Sequence, residues 1–440
     1  MTPTLVATAM VVILLALIFV RMPIALGMGA VGAAGYSILS SPQGLLAYLN
    51  TAFVEKFSSY ELAIVPLFIL MGHLATRAGI SRAIFAASAS WIGHLRGGLA
   101  MASVAGCALF GSISGSSLAT ASTMARVALP EMRRHGYSGA LASGSLAAGG
   151  TLGILIPPSV VLIIYALLTE QNIVKLFLAA TIPGILAVIG FCTAIAIYVR
   201  IFPEEGPTQP RADLKTRLRS LADIWHVVLI FVVVLGGIYG GFFTPAEGAS
   251  VGVVMMLLAG LLTGGLNARA ILDCFIDTAG STAMIFAIVF GADIFNVALA
   301  LSQMPAAVAD TISGSGIPPL AVLLAIIVFY LIMGCLMDSL SMILLTVPVF
   351  FPTIMALDFG MVPEAQAMWF GIISLVVVEM GLITPPVGMN LFVISSMAKD
   401  IPTSQIFRGT VPFIMAEVVR IGILVAFPML SYWLVMVVTQ

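Results

Sequence analysis

Asp338 lies in the segment Gly334-Cys-Leu-Met-Asp338-Ser-Leu-Ser341-Met, inside an otherwise apolar stretch. A carboxylate at bilayer depth is costly unless partnered, so it points to function. It reads as a cation ligand, the alternative being a structural hydrogen bond to a nearby broken helix. A second segment, Gly111-Ser-Ile-Ser-Gly-Ser-Ser-Leu-Ala-Thr120, is small and hydroxyl-rich. Small residues let the backbone turn and let another segment approach closely. Hydroxyls and freed carbonyls are hard oxygen donors, suited to a small hard cation. The alternative is helix packing through small residues. Two further segments carry paired prolines: Gly149-Gly-Thr-Leu-Gly153-Ile-Leu-Ile156-Pro-Pro158-Ser159 and Gly381-Leu-Ile-Thr384-Pro-Pro386-Val-Gly-Met-Asn390. Each pair removes two amide donors and clashes with the preceding turn. The carbonyls of Gly153, Ile156, Gly381 and Thr384 are candidates for lost helical partners. In lipid they need new ones, and a bound sodium ion near half-helix ends is one solution. A plain proline kink explains either break alone, but two corresponding breaks facing two hairpins favour a site.

Other chemistry is thin. Cys107, Cys192, Cys274 and Cys335 form no C-x-x-C, and the four histidines form no H-E-x-x-H, so neither a transition-metal site nor a disulfide framework is indicated. No lysine follows a glycine, which excludes a Walker A loop. The sequence has 18 Lys and Arg against 19 Asp and Glu, which excludes a polybasic nucleic-acid binder. Ser114-Gly115 resembles the Ser-Gly of intramembrane serine proteases. However, the first glycine stands three residues before the serine and no suitable histidine follows in a later span. No enzyme is expected. Asp293 and Glu379 are each a proton or ion ligand or a hydrogen-bonded strut. Glu417 and Arg420, three apart, read as an intrahelical pair. Arg126 reads as a cytoplasmic anchor.

The elements that hold these groups follow from composition. Hydrophobic residues make up 61% of the 440 and charged residues 8%, too few charges to cover a water-facing surface. Spans of about 20 apolar residues are expected, at 4–20, 22–40, 62–79, 138–168, 174–199, 223–241, 247–264, 281–301, 365–397 and 406–438. The first is read as a retained span, because Arg21 follows its apolar core instead of preceding it. The stretches 97–125 and 317–355 are interrupted by small and polar residues and read as re-entrant hairpins. Residues 81–95 and 267–279 read as interfacial amphipathic pieces. With the N-terminus outside and the hairpins not crossing, the cytoplasmic side holds Arg21, Arg77, Arg82, Arg96, Arg126, Arg133, Arg134, Arg200, Arg211, Lys215, Arg217, Arg219, Arg269, Lys399 and Arg408. Those are most of the 18 cations; Lys56 and Lys175 fall outside and Arg420 falls within a span. The asymmetry supports both the orientation and the hairpins.

The chain also reads as two related halves. Ala25 and Gly27 match Ala246 and Gly248; Gly72 matches Gly291 and Gly111 matches Gly334. The Gly153–Pro158 element matches Gly381–Pro386, and Pro183 matches Pro412. The predicted units are 1–200, with a hairpin near 97–125 and a broken helix near 138–168, and 223–440, with a hairpin near 317–355 and a broken helix near 365–397. The Pro-containing, mixed-charge stretch 201–222 reads as a cytoplasmic linker. Five crossings per half invert the second half relative to the first, the plan of many secondary transporters.

GSISGSSLATA, GTLGILIPPS, FFTPAEGAS (Phe242–Ser250), GCLMDSLS and GLITPPVGMN, in this order, resemble the large membrane subunit of the tripartite ATP-independent periplasmic (TRAP) transporters, the DctM-like family. The resemblance covers nearly the whole chain. It implies an all-α polytopic membrane protein of the bacterial inner membrane, an inverted-topology repeat with two re-entrant hairpins and two broken helices, working as an elevator-type transporter. It implies import of a small organic acid, a C4-dicarboxylate by default, with Na+ as coupling ion and no other cofactor. A separate small four-helix membrane subunit and a periplasmic substrate-binding protein are the implied partners, since 440 residues leave no room for a fused small subunit. Carried over, one sodium site would use Ser114 with Gly153, Ile156 and Pro158, Thr120 standing where some relatives have an acidic residue. The other would use Asp338 and Ser341 with Gly381, Thr384 and Pro386. The substrate is expected between the hairpin tips, near Ser116, Ser117, Ser339 and Asn390. Both termini are expected on the periplasmic side. A stand-alone sodium- or proton-coupled carrier of the same plan is the alternative.

Overall fold

The computed structural model describes residues 2–20, 22–314 and 316–438; Arg21, counted above among the cytoplasmic cations, lies outside them. Among the described residues every regular element is helical. In chain order these are α1 (Pro3–Phe19), α2 (Ile24–Leu39), α3 (Pro42–Phe57), α4 (Ile64–Arg77), α5 (Ile80–Ile92), α6 (Gly98–Ser114), α7 (Ser117–Arg134), α8 (Gly139–Leu155), α9 (Val160–Thr169), α10 (Ile173–Ile201), α11 (Leu214–Asp223), α12 (Trp225–Tyr239), α13 (Pro245–Leu262), α14 (Ala268–Leu301), α15 (Met304–Gly314), α16 (Pro319–Gly334), α17 (Ser339–Met355), α18 (Pro363–Gly381), α19 (Met389–Met397), α20 (Thr403–Ala426) and α21 (Trp433–Val438). Five of these helices (α10, α13, α14, α18 and α20) are long and apolar enough to cross a membrane alone. Counting the bent pairs as single spans raises this to eight. The remaining expected spans are shorter apolar helices such as α1, with 17 residues, and α2, with 16.

The breaks fall where the backbone chemistry demands them. Residues 97–134 form a helical hairpin in which α6 and α7 are separated only by Gly115 and Ser116. Gly115 turns at φ +60°, a conformation glycine adopts without a Cβ penalty, and the Ser116 hydroxyl caps α7 by accepting from the Ala119 amide at 3.4 Å. The second hairpin breaks between α16 and α17, and Asp338 caps α17. α8 and α9 are bent by 43° at the proline pair, with Ser159 capping α9. The corresponding pair separates α18 from α19. Both Pro157–Pro158 and Pro385–Pro386 are cis.

Several boundaries differ from the sequence expectation. The amphipathic piece 267–279 and the span 281–301 are one 34-residue helix, α14, because no proline interrupts them and Gly280 sits in open space. The expected span 406–438 stops at Ala426, where Pro428 forces Phe427 out of helical geometry (φ −127°, ψ 72°). α3 was not expected: Ser41 caps it and Pro42 occupies its first turn, and it meets the next helical segment at 54°. The linker carries α11, capped by Asp213, whose carboxyl is held below the ordinary carboxylate range by the side chain and amide of Thr216.

Two bodies of helices emerge from the packing. α2 lies along α14, α13 packs on α4 and α12, and α1 packs on α2. The hairpins and broken helices form the other body: α6 and α7 pack on α8, α16 on α18, α17 on α9, and α19 on α7 and α8. Its core is almost wholly buried, including Phe110, Trp369 and Phe370.

Candidate functional site

Two glycine pairs set the approach of hairpin to broken helix. A Cβ on Gly111 would stand 2.5 Å from Gly153 Cα, and a Cβ on Gly381 would stand 2.6 Å from Gly334 Cα. Backbone therefore meets backbone at both places, which only glycine permits. These are the same two positions paired in the sequence comparison of the halves.

At the first pair the hydroxyls converge. Ser114 Oγ lies 2.7 Å from Thr120 Oγ1 and within 3.5 Å of the Gly111 and Ser116 carbonyls. A Cβ on Gly153 would lie 2.5 Å from Thr120 Oγ1 and 2.7 Å from the Ser116 carbonyl oxygen. The Pro158 carbonyl comes within 3.5 Å of where a Gly115 Cβ would be. Pro157 has no amide hydrogen to return to the Gly153 carbonyl four residues earlier. Ile156 leaves helical geometry at φ −93°, ψ 121°, just before the pair. Ser114, Thr120, Gly153 and Pro158 thus come together as an oxygen-rich knot, with Ile156 at its edge.

The second break is arranged differently. Asp338 accepts from the Ser341 amide at 3.1 Å and from the Ser341 hydroxyl at 2.5 Å, so its carboxylate serves as a helix cap. The Gly381 carbonyl, deprived of Pro385, takes the Thr384 amide at 3.1 Å, and the Leu382 carbonyl takes the Asn390 amide at 3.1 Å. Thr384 Oγ1 donates to the Met380 carbonyl at 2.6 Å. The Gly388 amide reaches the Cys335 carbonyl at 3.2 Å, tying break to hairpin. Pro386 is exposed, whereas Pro158 is buried.

Both tips face one cavity of about 510 Å³. Ser114, Ser116 and Ser117 line it from the first hairpin, and Asp338, Ser339 and Ser341 from the second. Its opposite wall comes from the other body of helices: Ile24, Ile69, His73 and Thr76, then Ser281, Met284, Ile285 and Ile288. Among the described residues, His73 and Asp338 are the titratable side chains in that lining.

Asn390 is not part of it. The side chain is fully buried and donates to the Ala147 carbonyl at 3.1 Å, fastening α19 to α8. The structure therefore does not bring Asn390 together with Ser116, Ser117 and Ser339 in the cavity lining. The wall residues of α4 and α14 were missed. They sit far from the motifs in sequence and carry no polar pattern of their own. Glu379 was undecided between ligand and strut. It is fully buried behind the tips and accepts from Ser117 and Ser339. Asp293 is a strut: it pairs with Lys56 at 2.7 Å and accepts from Tyr48, joining α3 to α14. Glu417 and Arg420 form the expected buried intrahelical pair, with Arg420 also donating to the Pro183 carbonyl at 3.3 Å.

Comparison with known proteins bears on the family and the fold. Residues 11–430 match the family model of the tripartite ATP-independent periplasmic transporter, DctM component. The chain is 35% identical to the C4-dicarboxylate TRAP transporter large permease protein of Pseudomonas aeruginosa, over 90% of each chain. It is 31% identical to the sialic acid TRAP transporter large permease protein of Vibrio cholerae, over 94% of this chain and 95% of that one. In fold it resembles the YdaH transporter of Alcanivorax borkumensis, with a TM-score of 0.66 at 16% identity, covering 99% of both chains. These relatives are transport proteins, not enzymes. The chain belongs to the DctM family, as a multi-pass large permease of a TRAP transporter.

Proposed function

We propose that this chain is the sodium-driven permease that carries a small organic acid, by default a C4-dicarboxylate, across the bacterial inner membrane. A periplasmic binding protein delivers the substrate and a separate small four-helix membrane subunit stands beside the chain. The observation that carries the reading is the cavity shared by the two hairpin tips, each backed by a proline-broken helix. Among the described residues the cavity lining holds no lysine or arginine. An organic anion entering it therefore needs positive charge from elsewhere. Coupling cations supply it: one at Ser114, Thr120, Gly153, Ile156 and Pro158, one at Asp338, Ser341, Gly381, Thr384 and Pro386. The α7 and α17 N-termini add favourable dipoles beside Ser116, Ser117 and Ser339. Cation binding then raises anion affinity, and by linkage the anion raises cation affinity.

In this reading the halves are inverted repeats with both termini periplasmic. Arg77, paired with Asp273 at 3.5 Å and Asp277 at 3.3 Å, marks the cytoplasmic end of the wall. The cavity reaches Thr76 and Ser281 beside that cluster, which corresponds to an inward-facing state. The hairpins and broken helices move as one body against α2, α4, α13 and α14. The test is uptake of a labelled C4-dicarboxylate into proteoliposomes holding this chain and its small subunit, with binding protein outside and an imposed sodium gradient. Uptake that requires both sodium and binding protein is expected. Uptake indifferent to sodium, or independent of the binding protein, overturns the corresponding part.

A further inference from the structure

We infer that Glu379 is a positioning residue that ties the two hairpin tips together, so that cation occupancy behind one tip is felt at the other. This rests on the sodium reading above. Glu379 lies on α18, fully buried, two residues before Gly381. One carboxylate oxygen accepts from Ser117 Oγ at 2.5 Å and the other from Ser339 Oγ at 2.5 Å. Those serines are the first residues of α7 and α17. A single carboxylate therefore sits at two helix N-termini, one from each half of the chain, and no lysine, arginine or histidine forms an ion pair with it among the described residues. The two serine hydroxyls occupy both carboxyl oxygens in place of a cation.

The placement of the two serines gives this bridge its consequence. Ser117 lies between Ser114 and Thr120, and Ser339 lies between Asp338 and Ser341. Each serine lines the cavity, whereas the carboxylate stands behind the lining. A cation that orders Ser114 and Thr120 fixes the start of α7 and with it Ser117. Ser117 then holds one oxygen of Glu379, which sets where the other oxygen meets Ser339 and the start of α17. The buried two-point bond carries this transmission, and coupling through it is reciprocal.

The test uses the full chain in nanodiscs, with Cys107, Cys192, Cys274 and Cys335 replaced and a single cysteine placed at Leu118 or Leu340, both cavity-lining. Maleimide labelling of each reporter is titrated against sodium without substrate. With Glu379 intact, both reporters should titrate at one midpoint with a Hill coefficient approaching about 2. E379L should split them into separate midpoints with a coefficient near about 1. S117A and S339A, which remove one oxygen atom each and disturb packing little, should split them likewise. E379Q should restore the common midpoint, because an amide accepts from one serine and donates to the other. A shared, steep titration surviving in E379L, S117A and S339A overturns the inference while leaving sodium binding standing. No response of either reporter to sodium with Glu379 intact overturns the sodium reading and the inference together.

Discussion

Asp338 caps α17 and is proposed to hold a cation, two roles that a substitution can separate. As the cap of α17 it needs an acceptor for the Ser341 amide; as a cation ligand it needs its charge. Asparagine caps almost as well as aspartate. D338N should therefore keep the thermal midpoint within a few degrees while raising the sodium concentration for half-maximal uptake by about tenfold or more, the equivalent of about 1.4 kcal/mol. Unchanged sodium dependence in D338N uptake would reduce Asp338 to a cap. The buried Glu417–Arg420 pair makes a contrasting prediction. R420M strands a carboxylate that is 1% exposed, and should lower stability by about 3–5 kcal/mol in thermal unfolding. The double variant E417Q/R420M should recover most of that loss, since an uncharged pair leaves nothing to compensate.

At the scale of elements, the hairpins hold their place by close backbone approach to the broken helices. G111A places a methyl 2.5 Å from Gly153 Cα, and G381A places one 2.6 Å from Gly334 Cα. Backbone on both sides cannot yield as a side chain does, so each should cost about 1–3 kcal/mol and abolish uptake. G236A on α12 meets nothing within 4 Å and should be neutral, or favourable by up to about 1 kcal/mol through helix propensity. Uptake and unfolding measured on all three separate lost packing from the general effect of adding a methyl. The hairpin motifs were legible in the sequence because small residues and paired prolines mark tight turns and helix breaks directly. The extent of α7 to Arg134 and the helix α3 were not: α7 keeps a buried stripe at helical spacing to Met132, but Arg126, Glu131, Arg133 and Arg134 end its apolar run early, and α3 mixes apolar and polar residues.

At the scale of the molecule, transport by the proposed mechanism requires the hairpin body to slide past the wall of α4 and α14. Cysteines at Ile285 and Leu340 line the same cavity from the two bodies. Joining them with a cleavable bifunctional thiol reagent, in the background lacking native cysteines, should stop uptake, and cleaving the linker should restore it. Full uptake by the linked protein would sink the moving-body mechanism. The ties within each body point the same way. Lys56 and Tyr48 fix α3 to Asp293 of α14, and Asn390 fixes α19 to α8, so each body holds itself together without relying on the cavity.

Composition, the two small-residue segments and the two Pro-Pro elements by themselves determined a helical membrane protein with two interrupted hairpins and two broken helices. They do so because bilayer burial and missing amide donors act locally along the chain. Only the tertiary structure decided which groups share a site. The Asn390 side chain faces α8, where it donates to the Ala147 carbonyl. The cavity wall comes from mixed apolar and polar residues of α4 and α14, whose role depends on what stands opposite them. Glu379 is central because Ser117 and Ser339, distant in sequence, both reach it. Such meetings depend on how helices from two halves cross, and no local spacing encodes that crossing.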